Sequence, residues 1–222
     1  MTSYVTVPNG DIDVDSPVTT DLVTALRDNP IAIAEGSSGS PNIRVKGQTR
    51  LLFDASTTHV VPSGVTEVWY EIFAGGGGGS GSNTANSITA NATNGGNSVI
   101  VSTAVTVTAA GGIGGAFINN ATATSRPAVA HSSGTNGDIN ILGGGGVGGI
   151  GGLVEGALLG DTYVGSDGSN GGYCSGSLVS VPAETLTITI GSGGAKGTSS
   201  GGAGVTHADG SDGGDGYIII RY

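Results

Sequence analysis

Bulky core formers are scarce in this chain of 222 residues: aromatics make up 5% and charged residues 11%. A core of ordinary size must therefore be assembled economically. Positive charge is scarcer still, with 7 Lys and Arg against 17 Asp and Glu and a formal net charge of -10. No basic stripe is available to neutralise phosphates, so nucleic acid is not an expected partner. Cysteine occurs once, at Cys174, which excludes an intrachain disulfide; without a metal-ligand neighbour it reads as an inert packed residue. No run approaches the roughly 20 apolar residues of a membrane span, so no membrane insertion is expected. The opening MTSYVTVPNGDIDVD lacks the cationic start and apolar run of a signal peptide, and the expectation is a soluble chain made in the cytoplasm. Proline, with 7 residues, is too rare for collagen.

Glycine is what the chain has instead: 45 residues, with 36% of all residues hydrophobic. Disordered chains are typically polar and highly charged, and this one is neither, so the glycine is expected to be ordered.

Two regions are expected, 1–50 and 51–222. In the first, DSPVTTDLVTALRDNPIAIAEG reads as a short amphipathic helix capped by Ser16, with Pro17 in its first turn and Val18, Leu22 and Leu26 four apart on one face. Asn29-Pro30 should interrupt it and start a second turn over 30–35, stopped by Gly36. The stripe of Val18, Leu22 and Leu26 is read as local core, with docking on another subunit as the alternative that would make it the attachment surface. GSSGSP then reads as a hinge.

From residue 42 the pattern turns to β: IRVK, RLLFD, TTHVV and VTEVWYEIFA are short strands, with PSG at 62–64 as a turn. Thr66, Val68, Tyr70 and Ile72 share the face expected to be buried, while Val65, Glu67, Trp69 and Glu71 share the other. Trp69 is either a packed edge residue or a ligand platform, and packing is the preferred reading.

Beyond Phe73, glycine blocks alternate with strand-like runs (NSVIVSTAVTVTA, TLTITI, YIIIRY) and polar loops. In GGGGVGGIGGLV, Val147, Ile150 and Leu153 recur every third residue, a period matching neither the 3.6 of an α-helix nor the 2 of a strand. It matches a left-handed threefold extended helix of polyproline II type, which makes no internal hydrogen bonds. One edge would carry Val147, Ile150 and Leu153 and pack inward. The bare edges at Gly146, Gly149 and Gly152, and at Gly112 and Gly115 beside Ile113 and Ala116, would bond laterally to neighbouring helices. Ordering glycine is entropically costly, so several such helices should pack together.

Chemical motifs are weaker. Gly146, Gly148 and Gly151 spell GxGxxG after the strand-like DINIL, and Asp167 lies where a ribose-binding acid would be expected. Glycine continues where the required helix should begin, so a dinucleotide site is rejected and no cofactor is expected. Asp209, Asp212 and Asp215 would line one edge of a threefold helix, as a solvated edge or a hard-cation site; the solvated edge is preferred, and no metal is assigned. His59, His131, His207 and Cys174 have no partner spacing, nucleophile elbow or paired carboxylates, so no enzyme is expected and a surface-glycan hydrolase ranks last.

Block by block, VVPSGVTEVWYEIFAGGGGGSG, GGNSVIVSTAVTVTAAGGIGG, GDINILGGGGVGGIGG, SVPAETLTITIGSGGAKG and GGDGYIIIRY resemble the glycine-rich domain of tailed-bacteriophage tail-fibre and adhesin-tip proteins, over residues 53–222. DSPVTTDLVTALRDNPIAIAEGSSGSP also looks like N-terminal segments of phage fibre proteins. The resemblance implies a mainly β and irregular fold: a short N-terminal helix, a small strand region, a packed polyglycine II sandwich with surface loops, and a closing C-terminal strand. It maps the scaffold onto 75–79, 111–115, 143–152, 191–194 and 213–216, and the receptor surface onto the loops, with Arg126, His131, Tyr163, Tyr173 and His207 as the larger side chains. The function implied is a non-enzymatic tail-fibre or tail-tip protein in the virion, joined to fibre, baseplate or capsid proteins, forming a homotrimer, and binding a host surface glycan or outer-membrane protein. The alternative is a purely structural virion protein (a head fibre, decoration or connector) that binds only other virion proteins.

Overall fold

Fourteen strands and one helix form in the computed structural model, which describes residues 3–8, 17–34, 49–83, 90–116, 130–155, 162–179, 183–200 and 206–222. The chain divides into two compact units, Met1–Gln48 and Thr49–Tyr222.

In the first unit the helix α1 spans Thr20–Ala34 and contains Pro30. Three expectations are corrected. The cap is Thr19, whose Oγ1 accepts from the Leu22 amide at 3.2 Å, while Ser16 lies outside the described residues. The helix also runs through Asn29-Pro30 instead of breaking there. Pro30 cannot donate to the Leu26 carbonyl, a loss of one backbone hydrogen bond, but Asn29 is occupied elsewhere: its Oδ1 accepts from the Val5 amide at 2.9 Å and its Nδ2 donates to the Val5 carbonyl at 2.8 Å. The helix is thereby tied to the extended segment 3–8. The local-core reading of the stripe is also overturned, because Val18 and Leu26 are exposed and Leu22 only partly covered, whereas Ala25 and Ala32 are buried. Small side chains, not the leucines, are the buried positions of the helix.

The second unit is mainly β. In chain order its strands are β1 (Arg50–Phe53), β2 (Thr57–Val60), β3 (Glu67–Phe73), β4 (Ser82–Asn83), β5 (Ser98–Val101), β6 (Thr106–Ala109), β7 (Gly134–Thr135), β8 (Ile139–Ile141), β9 (Leu153–Glu155), β10 (Thr162–Val164), β11 (Tyr173–Val179), β12 (Thr185–Thr189), β13 (His207–Ala208) and β14 (Tyr217–Arg221). Two five-stranded sheets, β1-β14-β3-β11-β8 and β2-β12-β5-β6-β7, are antiparallel throughout. Alternation places Val68, Tyr70 and Ile72 of β3, Cys174 and Leu178 of β11, and Ile218 and Ile220 of β14 on the inner face of the first sheet. They meet Ile100, Val107, Ala109, Leu186 and Ile188 of the second, so apolar area is removed from water from both sides. IRVK falls outside the described residues. Trp69 does not pack as expected: it is 46% exposed on the outer face.

Seven glycine-rich segments continue sandwich strands: 74–80 follows β3, 93–96 precedes β5, 110–116 follows β6, 146–152 lies beyond β8, 165–172 precedes β11, 191–197 follows β12, and 210–216 precedes β14. The segment 74–80 is buried at every residue and lies at the centre. Its amides donate outward in threes: Gly75 and Gly78 to Gly96 and Thr93, Gly76 and Gly79 to Gly214 and Ser211, Gly77 and Ser80 to Ser169 and Ser166, all at 2.8–3.1 Å. Its carbonyls accept in the same period from Gly146, Gly149 and Gly152, from Gly112 and Gly115, and from Gly194 and Gly197. Partner numbers fall along the first three segments and rise along the last three, so the centre has three antiparallel and three parallel neighbours.

The neighbours also bond to one another. Gly95 donates to Gly112, Thr93 to Ala195, Gly213 to Gly194, Gly214 to Val147, Gly168 to Gly149, and Ser169 to Ile113. Those six links close a ring around 74–80. Every amide of 74–80 thus has a lateral partner, which a chain without internal hydrogen bonds requires.

Candidate functional site

Glycine is required in this lattice for room. A Cβ on Gly77 would fall on the carbonyl of Ile113, and one on Gly149 on the carbonyl of Ser211, both closer than real Cβ atoms come to backbone. In 146–152 this leaves one outlet. Gly146, Gly149 and Gly152 point to the centre, Gly148 and Gly151 face carbonyls of 165–168, and only Val147, Ile150 and Leu153 have space. Those three are 70%, 57% and 53% exposed. The expected inward packing of this edge is therefore corrected: the centre is filled by backbone, and the apolar edge faces outward.

Side chains from the antiparallel segments cap the ring amides that lack a backbone partner. Asn94 and Asn97 Oδ1 accept from Gly114 and Gly111, Asp167 and Asn170 Oδ1 from Gly151 and Gly148, and Asp209, Asp212 and Asp215 Oδ1 from Ser199, Lys196 and Gly193, at 2.7–3.1 Å. Hydroxyls take the remaining positions: Ser169 Oγ accepts from Ile113, Ser211 Oγ from Ile150 and Thr93 Oγ1 from Ala195, each at 2.7 Å. The aspartate edge is exposed, as the solvated reading expects, and one oxygen of each carboxylate in addition caps a backbone amide of the neighbouring segment. Asp209 also meets Lys196 Nζ at 3.2 Å; the Ser199 amide, and then Lys196 and His207, hold its carboxyl below the usual range against a smaller opposing effect of burial. The GxGxxG amides of Gly148 and Gly151 are consumed in the same way, Asp167 included, so no phosphate cradle exists there. No group of three or more metal-ligating side chains occurs among the described residues.

Residues 81–83, 90–92, 153–155, 162–164, 198–200 and 206–209 lie at the end away from the sandwich. They hold together. β4 pairs with β13, β9 with β10, and Ala90 bridges Thr198. Ser199 Oγ lies within hydrogen-bond distance of the carbonyls of Ser82 and Ala208, at 2.9 and 3.1 Å, and Val154 and Val164 are buried beneath.

Of the five side chains expected to form one receptor surface, Tyr163 and His207 belong to this end: Tyr163 sits opposite Val154 in the β9–β10 pair, and exposed His207 opposite Asn83. Two do not. Tyr173 begins β11 at the sandwich junction, its ring 4.8 Å from Phe73, which stacks on Tyr217 at 4.2 Å. His131 lies near the same junction, its Nδ1 accepting from the Asn170 amide at 3.2 Å. Arg126 lies outside the described residues. No family model, curated protein or solved structure matches this chain. Cys174 is buried in the sandwich core, where burial pushes its thiol up to about 11, and His59 stacks on Tyr222 with Phe53 tilted against it.

Sequence reasoning missed two of the ring segments, 93–96 and 165–172. The signal was present in the spacing of Asn94 and Asn97 and of Asp167 and Asn170, three apart like the later aspartates.

Proposed function

We propose that this chain is a non-enzymatic component of a bacteriophage tail fibre or tail tip, that its seven segments are polyglycine II helices, and that the loops at their far end bind a host-surface molecule. The observation that carries the reading is the closed ring around 74–80, whose three-residue hydrogen-bond period is that of a threefold helix. A lattice bonded in this way on all sides is a stiff support, and its cost in ordering so much glycine suits a protein that presents loops at a distance. Val18 and Leu26, exposed on and before α1, are the attachment surface toward other virion proteins, and a homotrimer would multiply weak contacts with a surface glycan or outer-membrane protein.

A structural virion protein is the second reading. The exposed edge of Val147, Ile150 and Leu153 favours it, because a line of apolar side chains along the scaffold suits lateral packing against another subunit. Antibodies raised against 80–94 and 119–136 separate the two. Blocked adsorption of the phage to its host is the expected result; intact adsorption with antibody bound to the particle overturns the receptor reading and leaves the structural one.

A further inference from the structure

The outer face of the first sheet is built from residues directly opposite one another in register. Arg221, Trp69 and Ser177 form one row across β14, β3 and β11; Ile219, Glu71, Ser175 and Ile139 form the next, across β14, β3, β11 and β8. Opposed residues share a face. The middle of β11 is the run Ser175-Gly176-Ser177, with almost no side-chain volume, between the larger Trp69 and Ile219 on one side and Ile139 on the other. The result is a trough of about 200 Å³, the volume of roughly seven waters at about 30 Å³ each.

Polar groups converge on it. Glu71 Oε1 and Arg221 Nη2 pair at 3.2 Å on one rim. Exposed Asp138, just before β8, brings its Oδ2 up to the β11 backbone at Gly176. Asp138 is fixed there by the Ser177 amide at 3.0 Å. Trp69, the chain's one tryptophan, is 46% exposed beside these groups.

We propose that this trough is a binding site for one neutral sugar ring, with the Trp69 indole as the stacking platform and Asp138, Glu71 and Arg221 as hydrogen-bonding groups for its hydroxyls. An apolar face beside carboxylates and a guanidinium matches a pyranose, which has a C–H face and an equatorial belt of hydroxyls. Two carboxylates against one guanidinium disfavour an acidic sugar. The volume fits a single ring, not a peptide. This site is on the sandwich and is independent of the far-end loops, so it stands or falls apart from the receptor reading.

The sole tryptophan makes the test direct. Titrating the full chain with methyl glycosides of glucose, galactose and N-acetylglucosamine should shift or quench Trp69 emission saturably, with half-saturation on the order of millimolar for at least one of them. Glucuronate should bind at least tenfold more weakly. Asp138→Asn keeps an acceptor for Ser177 and removes the carboxylate, and Ser175→Phe fills the trough; each should weaken binding at least tenfold with unchanged circular dichroism. No saturable response to any of the three glycosides, the same response to glycerol at equal concentration, or undiminished binding in a folded Ser175→Phe would overturn the proposal.

Discussion

Replacing Gly77 by alanine adds one methyl at the centre of the lattice. That carbon would fall on the carbonyl oxygen, carbonyl carbon and following amide of 113–114, all rigid backbone. The segment 110–116 must then move outward, which breaks the bonds from Gly112 to Gly75 and from Gly115 to Gly78, each 2.8 Å. Leaving two buried amide–carbonyl pairs unsatisfied at about 1–3 kcal/mol each costs about 4 kcal/mol, a large part of the 5–15 kcal/mol typical of a domain. At roughly 2–4 °C per kcal/mol for a domain of this size, the melting temperature should fall by roughly 8–16 °C. Gly214→Ala is the matched control, because its Cβ would meet nothing nearer than the Val147 amide nitrogen at 3.3 Å; a shift within about 1 kcal/mol is expected there. Thermal melting followed by circular dichroism reads both. In a flexible tether, equally mobile in the folded and unfolded chain, neither change would move the melting temperature, and that result would refute the lattice.

Three further outcomes follow from single side chains. Asp212→Ala removes the acceptor for the Lys196 amide and should cost about 1 kcal/mol, whereas Asp212→Asn, which keeps an oxygen there, should be neutral by chemical denaturation. Burial holds His59 below its ordinary value of 6.5, so below about pH 6.5 the unfolded chain binds more protons and stability falls as pH drops toward the folded value. Asp209, also held low, contributes stability above the ordinary carboxylate range that is lost as pH falls through its folded value. Melting at pH 7.5 and 5.5 should show a drop that His59→Phe, which keeps the stack between Phe53 and Tyr222, reduces. Cys174, fully buried with its thiol raised to about 11, should resist a thiol reagent at pH 8 until the protein unfolds; modification within seconds in the native state would contradict its placement.

Much of this architecture was legible, and the failures have physical reasons. The period of Val147, Ile150 and Leu153 could be read because a Cβ has room only at every third position. Its direction could not: apolar residues normally turn inward, but here the centre is closed by backbone contacts that no composition rule anticipates. The exposure of the aspartates is legible in their spacing, but their second role as caps is not, because the amides of 193–199 belong to a segment that becomes a neighbour only in the folded lattice. The strand β11 carries Ser175-Gly176-Ser177 and so lacks β propensity; pairing on both sides, with β3 and β8, overrides it. In the first unit, Pro30 argued for a break, but its missing amide costs one bond while Asn29 gains two with Val5. At the far end, spacing along the chain said nothing of which loops meet, which is why His131 and Tyr173 were grouped with His207.

The most direct measurement is native-state amide exchange at Gly76, Gly77, Gly78 and Gly79. Each is buried and donates to a different neighbour or turn of the ring, to Gly214, Ser169, Thr93 and Ser211. Their exchange should be as slow as that of the sandwich-core amides of Ile72 and Ile218, opening only with global unfolding. Exchange of these four glycines at the rate of an unprotected chain, with Ile72 and Ile218 still protected, would contradict the lattice.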